Sequence, residues 1–497
     1  MSVLSNMSSS PTIPETFAGA DVFVTGGSGF MGKILLEKLL RSCPDVGKVF
    51  VLMRPHRGAS ESERISQLVQ LPLFDKLRAS HPESFGKLIP INGDCSEKRL
   101  GMDDASFGRL VDVQFVFHAA ASVRFDDSLQ KAILMNTRST RDILEWASTL
   151  KKLRAFVHVS TMYCNVDHTT VEMVEELGRA KMDWKLAIDA AEQLDVEMLE
   201  TLAPKLMNGT MNTYLFTKAL AEHICHDYSR KLPLVIYRPS LVVCCEKEPL
   251  PGWVDNFNGH VGLLLAFTTG ILRTVYFDPK GTIDIIPADM CIKTILIAAW
   301  LRATNSEHSR LIYNGAVERR KTCTYSDSFP MEKLLHRMYP PSQLVWFPNI
   351  TFAHCIYEYY LYFLLFQILP SMMVDSILRI KNQRPRLMKI QRVIFSLTLS
   401  VLPVAFNNWT FRADNFKMLE NVIHPTDREQ FDLAHIQSGM FEFGKICHLG
   451  GRRYLVKESD DTVPSARRIS QRLERMDRIV SWIFYAVFWY LMYRLVF

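Results

Sequence analysis

The feature that most constrains this chain is a glycine-rich turn between a short apolar strand and a helical pattern. Residues 21–25 predict the strand, and the helical pattern runs through Ile34, Leu35 and Leu39. Glycines at such a junction let the backbone approach a pyrophosphate, whose charge then lies on the helix N-terminus. The expected dinucleotide-binding residues are Thr25, Gly26, Gly27, Ser28, Gly29, Phe30, Met31 and Gly32.

Strand-like and helical segments alternate after this turn. A helical segment covers 139–150, and residues 232–243 resemble a strand that leaves the sheet. This alternation predicts βαβ units and therefore an α/β fold with a Rossmann-type, doubly wound parallel sheet. The other predicted strands are 48–53, 88–92, 115–118 and 155–159.

Residues after the next three strands indicate the cofactor. An acidic residue after the second strand would bind a ribose 2′-hydroxyl, but Arg54 and Arg57 stand there and favour the 2′-phosphate of NADPH. The alternative is that both arginines are merely solvated. Asp94 after the third strand is expected beside the adenine or as a helix N-cap. Ala119 and Ala120 after the fourth strand would let the chain pass close to the cofactor, or simply pack closely.

A tyrosine and a lysine four residues apart form the predicted catalytic pair. Tyr214 and Lys218 would share one helix face, so that Lys218 lowers the phenol pKa and holds the ribose while Tyr214 exchanges a proton with substrate. Ser160 and Thr161 follow the fifth strand, and either hydroxyl can donate to a carbonyl oxygen. We prefer Thr161, with Ser160 as the alternative.

Apolar segments near the C-terminus suggest a membrane. Residues 479–497 are interrupted only by Arg494 and predict a transmembrane anchor, with an amphipathic or buried helix as the alternative. The basic residues before this run place that side in the cytosol. In the apolar segment 350–370, His354, Glu358 and Gln367 favour a buried or membrane-dipping helix instead.

Composition excludes several classes of function. A net charge of +6 is too small for a protein whose main partner is nucleic acid. The ten cysteines follow no zinc-binding spacing, so no metal is expected, and they indicate a reducing compartment. The first 14 residues lack the apolar core of a secretory signal, so the catalytic part is expected in the cytosol.

These features together resemble the animal fatty acyl-CoA reductases, an extended short-chain dehydrogenase family, along nearly the whole chain. Residues 212–222, Asn-Thr-Tyr-Leu-Phe-Thr-Lys-Ala-Leu-Ala-Glu, are a highly specific match. The other segments that resemble the family are 13–19, 158–165, 237–240, 251–256, 284–289 and 408–411.

The resemblance implies that NADPH reduces a fatty acyl-CoA to an aldehyde and a second NADPH reduces the aldehyde to a primary alcohol. It also implies membrane lipid as a partner and an intracellular membrane as the location, with the endoplasmic reticulum favoured over the peroxisome or lipid droplets. Protein partners are not indicated. Two alternatives remain: a dehydrogenase of sterols or isoprenoids, and a non-catalytic NADPH-binding lipid scaffold. The expected organisation is a disordered lead (1–17), an NADPH-binding domain (18–330), a C-terminal helical domain (340–450), a charged linker (451–478) and a transmembrane anchor (479–497).

Overall fold

The computed structural model describes residues 10–55, 58, 60–166, 172–305, 307–316, 323–406, 409–434 and 439–496. The chain forms two compact units. The first comprises Met1–Pro251, Asp284–Thr322 and Asn407–Gln437, and the second comprises Gly252–Ile283, Cys323–Phe406 and Ser438–Phe497. Residues 252–283 therefore group with the second unit, whereas the sequence predicted them within a continuous 18–330 domain.

A parallel seven-stranded sheet forms the centre of the first unit. Its order is β7-β6-β5-β4-β1-β2-β3, so the strand order reverses between β1 and β4. Ligands of such sheets bind outside the carboxyl ends of the strands, next to this reversal. The strands are β1 (Val22–Thr25), β2 (Val49–Met53), β3 (Leu88–Asn92), β4 (Phe115–His118), β5 (Ala155–Val159), β6 (Leu234–Pro239) and β7 (Ile312–Gly315).

The central strands are short runs of valine, phenylalanine and other apolar residues. Every residue of β1, β2, β4 and β5 is buried, as expected for parallel strands with helices on both faces. The predicted parallel sheet is thus confirmed, with strand ends within one residue of the expected positions for the first five strands. The helices of this unit with eight or more residues are Phe30–Ser42, Glu61–Val69, Ser139–Ala147, Trp184–Gln193, Val196–Leu206, Thr213–Tyr228, Ala288–Thr304 and Asp414–Val422.

The second unit is mainly helical, and its core is rich in aromatic residues. Phe267 is buried in that core, and residues 263–266 before it are half-buried, so the helix Gly259–Thr268 contributes to this packing. The helices are Gly259–Thr268, Tyr325–Met338, Ile356–Phe363, Leu369–Ile380, Leu387–Ala405, Met440–Gly450 and Val463–Val496, with π-helical turns at Leu364–Ile368 and Gly451–Val456.

The prediction of a disordered lead is wrong for its last residues. The lead, of which residues 1–9 lie outside the described residues, ends in the helix Ile13–Phe17, which a Thr12–Glu15 capping box begins. The expected charged linker 451–478 contains the π-helical turn Gly451–Val456 and the start of the helix Val463–Val496, and its role as a linker stays a prediction. Charged side chains pair within it, for example Arg453 with Asp460 at 2.5 Å.

Within the part of the chain that the structure describes, one helical segment is long and apolar enough to cross a membrane. This segment, Ile356–Ile380, has 25 residues and a mean hydropathy of 1.7, and only 22% of its most apolar stretch is buried. The low burial disfavours the buried form of the helix expected at 350–370, and the membrane-dipping form stays a prediction. The predicted anchor belongs to the helix Val463–Val496, and its insertion into a membrane stays a prediction.

Candidate active site

The turn after β1 consists of glycines because side chains would not fit. Gly26 has φ +74°, and a Cβ there would lie 2.6 Å from the amide nitrogen of Ala120. A Cβ on Gly32 would lie 2.1 Å from the Gly26 carbonyl oxygen. Any larger residue would separate the turn from β4 or from its own helix. The turn therefore presents bare backbone, which a pyrophosphate needs for close approach.

The helix Phe30–Ser42 starts directly at this turn. Gly29 is its N-cap, so no side chain covers the first backbone amides of the helix. Ser28 and Gly29 are exposed, whereas Phe30 and Met31 are partly buried. An open helix N-terminus carries partial positive charge and unpaired N–H groups, which suit a phosphate.

Thr25 and Gly27 pack the turn against the neighbouring strands β4 and β2. The Thr25 hydroxyl lies 2.7 Å from Nδ1 of His118 and accepts a hydrogen bond from the Ala120 amide at 3.3 Å. A Cβ on Gly27 would lie 2.5 Å from the Val51 side chain on β2. These two residues hold the turn against the neighbouring strands, and their expected contact with the cofactor stays a prediction.

The residues predicted to contact the adenosine half lie after β2 and β3. Arg54 is exposed directly after β2, and its carbonyl accepts a hydrogen bond from the Arg64 guanidinium. Arg57 lies outside the described residues. Asp94 closes a local turn, since its Oδ1 accepts from the amide and the hydroxyl of Ser96 at 2.9 and 2.8 Å. Arg54 is thus exposed after β2, while one oxygen of Asp94 is already engaged, and the contact of either residue with a cofactor stays a prediction.

Small residues follow β4, as the sequence predicted. The Ala119 amide donates to the Thr25 carbonyl at 3.2 Å, and both Ala119 and Ala120 lie against Gly26. The glycine turn and the alanines therefore form one continuous stretch of backbone at the carboxyl ends of β1 and β4.

The two hydroxyl residues after β5 have different partners. Ser160 donates to Oε1 of Glu222 at 2.5 Å. Thr161 interacts with the Tyr214 side chain and lowers the pKa of its phenol. The structure thus places Thr161, the hydroxyl preferred from the sequence, beside Tyr214, and directs Ser160 to a buried carboxylate instead.

Tyr214 and Lys218 lie one turn apart on the helix Thr213–Tyr228. Burial raises the pKa of the Tyr214 phenol more than Thr161 lowers it, so the phenol keeps its proton at neutral pH. Burial also lowers the pKa of Lys218 to about 8. The Lys218 ammonium donates to the carbonyl of Val159 at 2.6 Å. The lowering of the phenol pKa by this charge stays a prediction.

Glu222, one turn beyond Lys218, is the centre of a buried ionic network. Arg238 donates to both of its carboxylate oxygens at 2.8 and 2.6 Å, and Cys164 Sγ lies 3.2 Å from Oε1. Burial raises the pKa of Glu222, but the Arg238 guanidinium and the other donors outweigh it and hold that pKa below its usual value. Arg238 also donates to the carbonyls of Val174 and Glu176. The ionised pair ties the end of β6 to the helix that carries Tyr214.

Asn136 is a site residue that the sequence analysis missed. It lies in the π-helical turn Ile133–Arg138, and its Nδ2 donates to the Thr217 hydroxyl at 3.0 Å and to the Ser122 carbonyl at 3.1 Å. Asn136 thereby joins the loop after β4 to the residue that precedes Lys218. A π-helical turn often marks a functional position, but no sequence pattern predicts such a turn.

Phe125 is a second missed residue. Its ring lies 5.8 Å from the ring of Tyr214, on the loop between β4 and the next helix. It can therefore contact a substrate that reaches the Tyr214 hydroxyl. A lone phenylalanine in a loop carries no signal in the sequence that would have found it.

The arrangement fits a nicotinamide dinucleotide. The turn has no space for a Cβ at Gly26 or Gly32, the helix N-terminus is open, and Lys218 places a buried ammonium at the carboxyl end of β5. A protonated phenol and a hydroxyl stand together beside that ammonium. This combination can bind a carbonyl oxygen and give it a proton.

Sequence comparisons agree with this chemistry. Residues 24–295 match an NAD-binding family model described as male sterility protein, and residues 366–458 match a second model of the same description, named Sterile. Fatty acyl-CoA reductase 1 of Xenopus laevis is 34% identical over 96% of this chain and 93% of its own length. Fatty acyl-CoA reductase 2 of Homo sapiens is 31% identical over 97% of this chain and 93% of its own length.

Solved structures show the same fold. The reductase domain of a non-ribosomal peptide synthetase from Mycobacterium tuberculosis aligns with a TM-score of 0.57 and 17% identity, covering 92% of this chain and 96% of that one. The terminal reductase domain of the myxalamid pathway aligns with a TM-score of 0.56 and 15% identity, covering 88% and 91%. The resemblance found in the sequence is confirmed, and this oxidoreductase with a nicotinamide cofactor belongs to the fatty acyl-CoA reductase family.

Proposed function

We propose that this protein reduces a long-chain fatty acyl-CoA to a primary alcohol, through an aldehyde, with two NADPH. The names of its relatives supply the substrate class. The observation that carries the proposal is the placement of Tyr214 one helical turn from the buried Lys218, with Thr161 near enough to lower the pKa of the phenol. This group of residues, here called the catalytic triad, would bind the oxygen of either a thioester or an aldehyde.

In the first step Tyr214 and Thr161 hold the thioester oxygen, and NADPH, when bound, would supply a hydride to the carbonyl carbon. The raised pKa of Tyr214 keeps its proton in place until negative charge develops on that oxygen, which then receives it. When the tetrahedral thiohemiacetal collapses, its hydroxyl loses a proton as the C=O bond forms, and the C–S bond breaks. The sulfur leaves with its electron pair and takes up a proton. The products are the aldehyde and CoA.

In the second step the same residues act on the aldehyde. Thr161 and Tyr214 bind its oxygen, and the Tyr214 proton passes to that oxygen to give the alcohol. Each step consumes one proton and one NADPH, so Tyr214 regains its proton from solvent between them. Lys218 holds the ribose in both steps, with its ammonium at the carboxyl end of β5.

NADPH is proposed over NADH on account of the residue after β2. Arg54 is exposed at the sheet edge where the adenosine ribose of a dinucleotide is expected. A guanidinium forms charge-assisted bonds to a phosphate, whereas an acidic residue would be needed to accept from a 2′-hydroxyl. Arg57 is proposed to assist it.

The proposed location is an intracellular membrane. The terminal residues 479–497 would anchor the chain, and the basic residues before them would keep the catalytic part in the cytosol. Among intracellular membranes we propose the endoplasmic reticulum, with the peroxisome and lipid droplets as alternatives.

The test uses the full chain purified in detergent and saturated acyl-CoAs of several chain lengths. NADPH oxidation is followed by absorbance, products are identified by mass spectrometry, and Tyr214→Phe serves as the inactive control. Fatty alcohol with two NADPH oxidised per thioester is the expected result. Accumulation of aldehyde would contradict the second step.

Failure to turn over any acyl-CoA would contradict the proposal as a whole. Sterol and isoprenoid carbonyl compounds are then the next substrates to test. If none of them is reduced while NADPH still binds, the chain is a lipid scaffold rather than an enzyme.

A further inference from the structure

A helical hairpin in the second unit carries an exposed apolar stripe. The hairpin comprises residues 356–405, with the helical segment Ile356–Ile380 followed by Leu387–Ala405. Along its first arm, side chains spaced three or four residues apart are all exposed, from Leu365 at 37% to Ile380 at 83%. These residues form a continuous line on one helix face. The stripe consists of Leu361, Leu365, Leu369, Met373, Ile377 and Ile380.

The opposite face of the same arm is bound to protein along its length. Tyr359, Phe363, Gln367 and Asp375 are buried, and they are offset from the stripe by two residues, or about 200° around the helix. Oε1 of Gln367 accepts from the backbone amides of residues 273 and 274 at 2.7 and 3.0 Å. Asp375 accepts from three backbone amides at the start of the second arm. A helix held in this way keeps one face on the protein and offers only the other to lipid.

Positive charge surrounds the connection between the two arms. Residues 376–406 contain six basic residues and no aspartate or glutamate. All six are exposed, and two of them alternate with exposed apolar residues at the start of the second arm. They are Arg379, Lys381, Arg384, Arg386, Lys389 and Arg392. A cationic rim beside an apolar stripe is typical of surfaces that bind anionic lipid.

Arg273 connects this hairpin to the proposed anchor. Its backbone amide donates to Gln367 in the hairpin, and its guanidinium contacts Asp477 at 3.0 Å. Asp477 also accepts from the Trp346 indole and stands two residues before the apolar terminal run. Arg273 therefore contacts both the helix that carries the apolar stripe and a residue just before the apolar terminal run. A membrane that binds the stripe would lie close to the start of that run.

We propose that the hairpin lies flat on an anionic membrane surface, with the stripe among the outer parts of the acyl chains and the six cations at the headgroups. This inference goes beyond the proposed reaction and rests in part on the proposed anchor. An insertion with the connection first would carry all six cations into hydrocarbon, at high cost. A flat orientation buries the stripe and keeps the cations at the phosphates, since long basic side chains reach back to the interface.

The test introduces one cysteine at a time into the full chain and measures how deeply a fluorophore at that position lies in the membrane. In a Cys355→Ser background, which removes the exposed native thiol, an environment-sensitive fluorophore is attached at Met373→Cys, Val487→Cys or Lys152→Cys. The protein is reconstituted in vesicles of phosphatidylcholine and phosphatidylserine with or without brominated acyl chains. Position 373 tests the hairpin, 487 tests the anchor and 152 is an exposed position of the first unit.

Quenching by brominated lipid at 373 and 487, but not at 152, is the expected result. Quenching at 487 alone would overturn the hairpin proposal while the anchor stands. Quenching at 373 alone would leave the hairpin on the membrane and refute the anchor. A blue-shifted signal at 373 without quenching, together with crosslinked dimers, would show that a second copy of the chain covers the stripe and would overturn the proposal.

A charge variant tests the lipid preference. Quenching at 373 is expected to be stronger with phosphatidylserine than with phosphatidylcholine alone, and Arg379→Gln/Lys381→Gln/Arg384→Gln should abolish that difference. The matched control, Lys76→Gln/Lys98→Gln/Lys152→Gln, removes the same charge from the first unit and should preserve it. Equal quenching in both lipids, or an equal effect of the two triple variants, would refute binding of anionic headgroups.

Discussion

Ser160 donates a 2.5 Å hydrogen bond to Glu222, a fully buried carboxylate on the same helix face as Tyr214 and Lys218. The three helix residues are spaced by four, so they line one edge of the helix that faces the end of β5. The neighbouring Thr161 instead interacts with Tyr214 and lowers the pKa of its phenol. We therefore expect Ser160 to have a structural role and Thr161 to bind the substrate oxygen.

Substitution of the two hydroxyl residues should separate these roles. Thr161→Val should lower kcat by about 10²–10³-fold, because the substrate oxygen loses a donor that was positioned in advance. Ser160→Ala should have a much smaller effect on kcat, because its hydroxyl is engaged by Glu222. Steady-state kinetics with acyl-CoA and NADPH measure both, and an equal loss in the two variants would contradict the division.

The Glu222–Arg238 pair should contribute strongly to stability. Glu222→Gln leaves the Arg238 guanidinium buried without a counter-charge and should lower the free energy of unfolding by about 3–5 kcal/mol. Glu145→Gln removes an exposed carboxylate of the same unit and should change it by less than about 0.5 kcal/mol. Denaturant unfolding in detergent compares the two. A loss at Glu222 no larger than that at Glu145 would mean that water or another group compensates the arginine.

Lys218 should set an upper pH limit for cofactor binding. Burial lowers its pKa to about 8, so the ammonium is present below that pH and is lost as the pH rises through it. If the charge holds the ribose, kcat/KM for NADPH should be flat below pH 8 and fall about tenfold per pH unit above it. Lys218→Arg, whose guanidinium stays charged, should remove this alkaline decline from whatever activity remains. A profile unchanged in Lys218→Arg would assign the decline to another group.

The sequence predicted the parallel sheet well because each central strand is a short apolar run bounded by polar or small residues. Burial on both faces of the sheet demands such runs, so the pattern and the structure have one cause. The Tyr214–Lys218 spacing was equally informative, since a helix fixes which residues share a face. Contacts between residues that lie far apart in the chain could not be predicted from the sequence. Glu222 was read only as part of a motif, and its ion pair with Arg238 depends on how β6 lies in the sheet.

The wrong prediction of a disordered lead has the same cause. The helix Ile13–Phe17 follows a serine-rich stretch that is typical of a disordered lead. It is ordered by contacts with distant residues, because the Ile13 amide donates to Asp427 at 2.8 Å and the Trp300 indole donates to the Pro11 carbonyl at the same distance. The local sequence gives no information about a hydrogen-bond partner 414 residues away. The π-helical turn that carries Asn136 was not predicted, for the same reason.

Arg54 should determine the choice between the two nicotinamide cofactors. Arg54→Ala removes a charge-assisted bond to the 2′-phosphate and should raise KM for NADPH about ten- to a hundredfold while KM for NADH hardly changes. Lys76→Ala, an exposed cation on the helix Asp75–Ser80, is the control for a general loss of positive charge. Similar shifts for both cofactors in Arg54→Ala would place Arg54 outside the 2′-phosphate site.

Tyr214 should serve both reductions if one site performs them. Tyr214→Phe removes the proton donor but keeps the ring against Phe125, so NADPH binding should survive while turnover falls about 10²–10⁴-fold. The same factor is expected whether the reaction starts from acyl-CoA or from the aldehyde, because the phenol protonates an oxygen in each step. Rapid-quench measurements of both reactions, with NADPH affinity from fluorescence, make the comparison. Loss of NADPH binding would give Tyr214 a structural role, and an aldehyde reaction that proceeds at full rate would require a second proton donor.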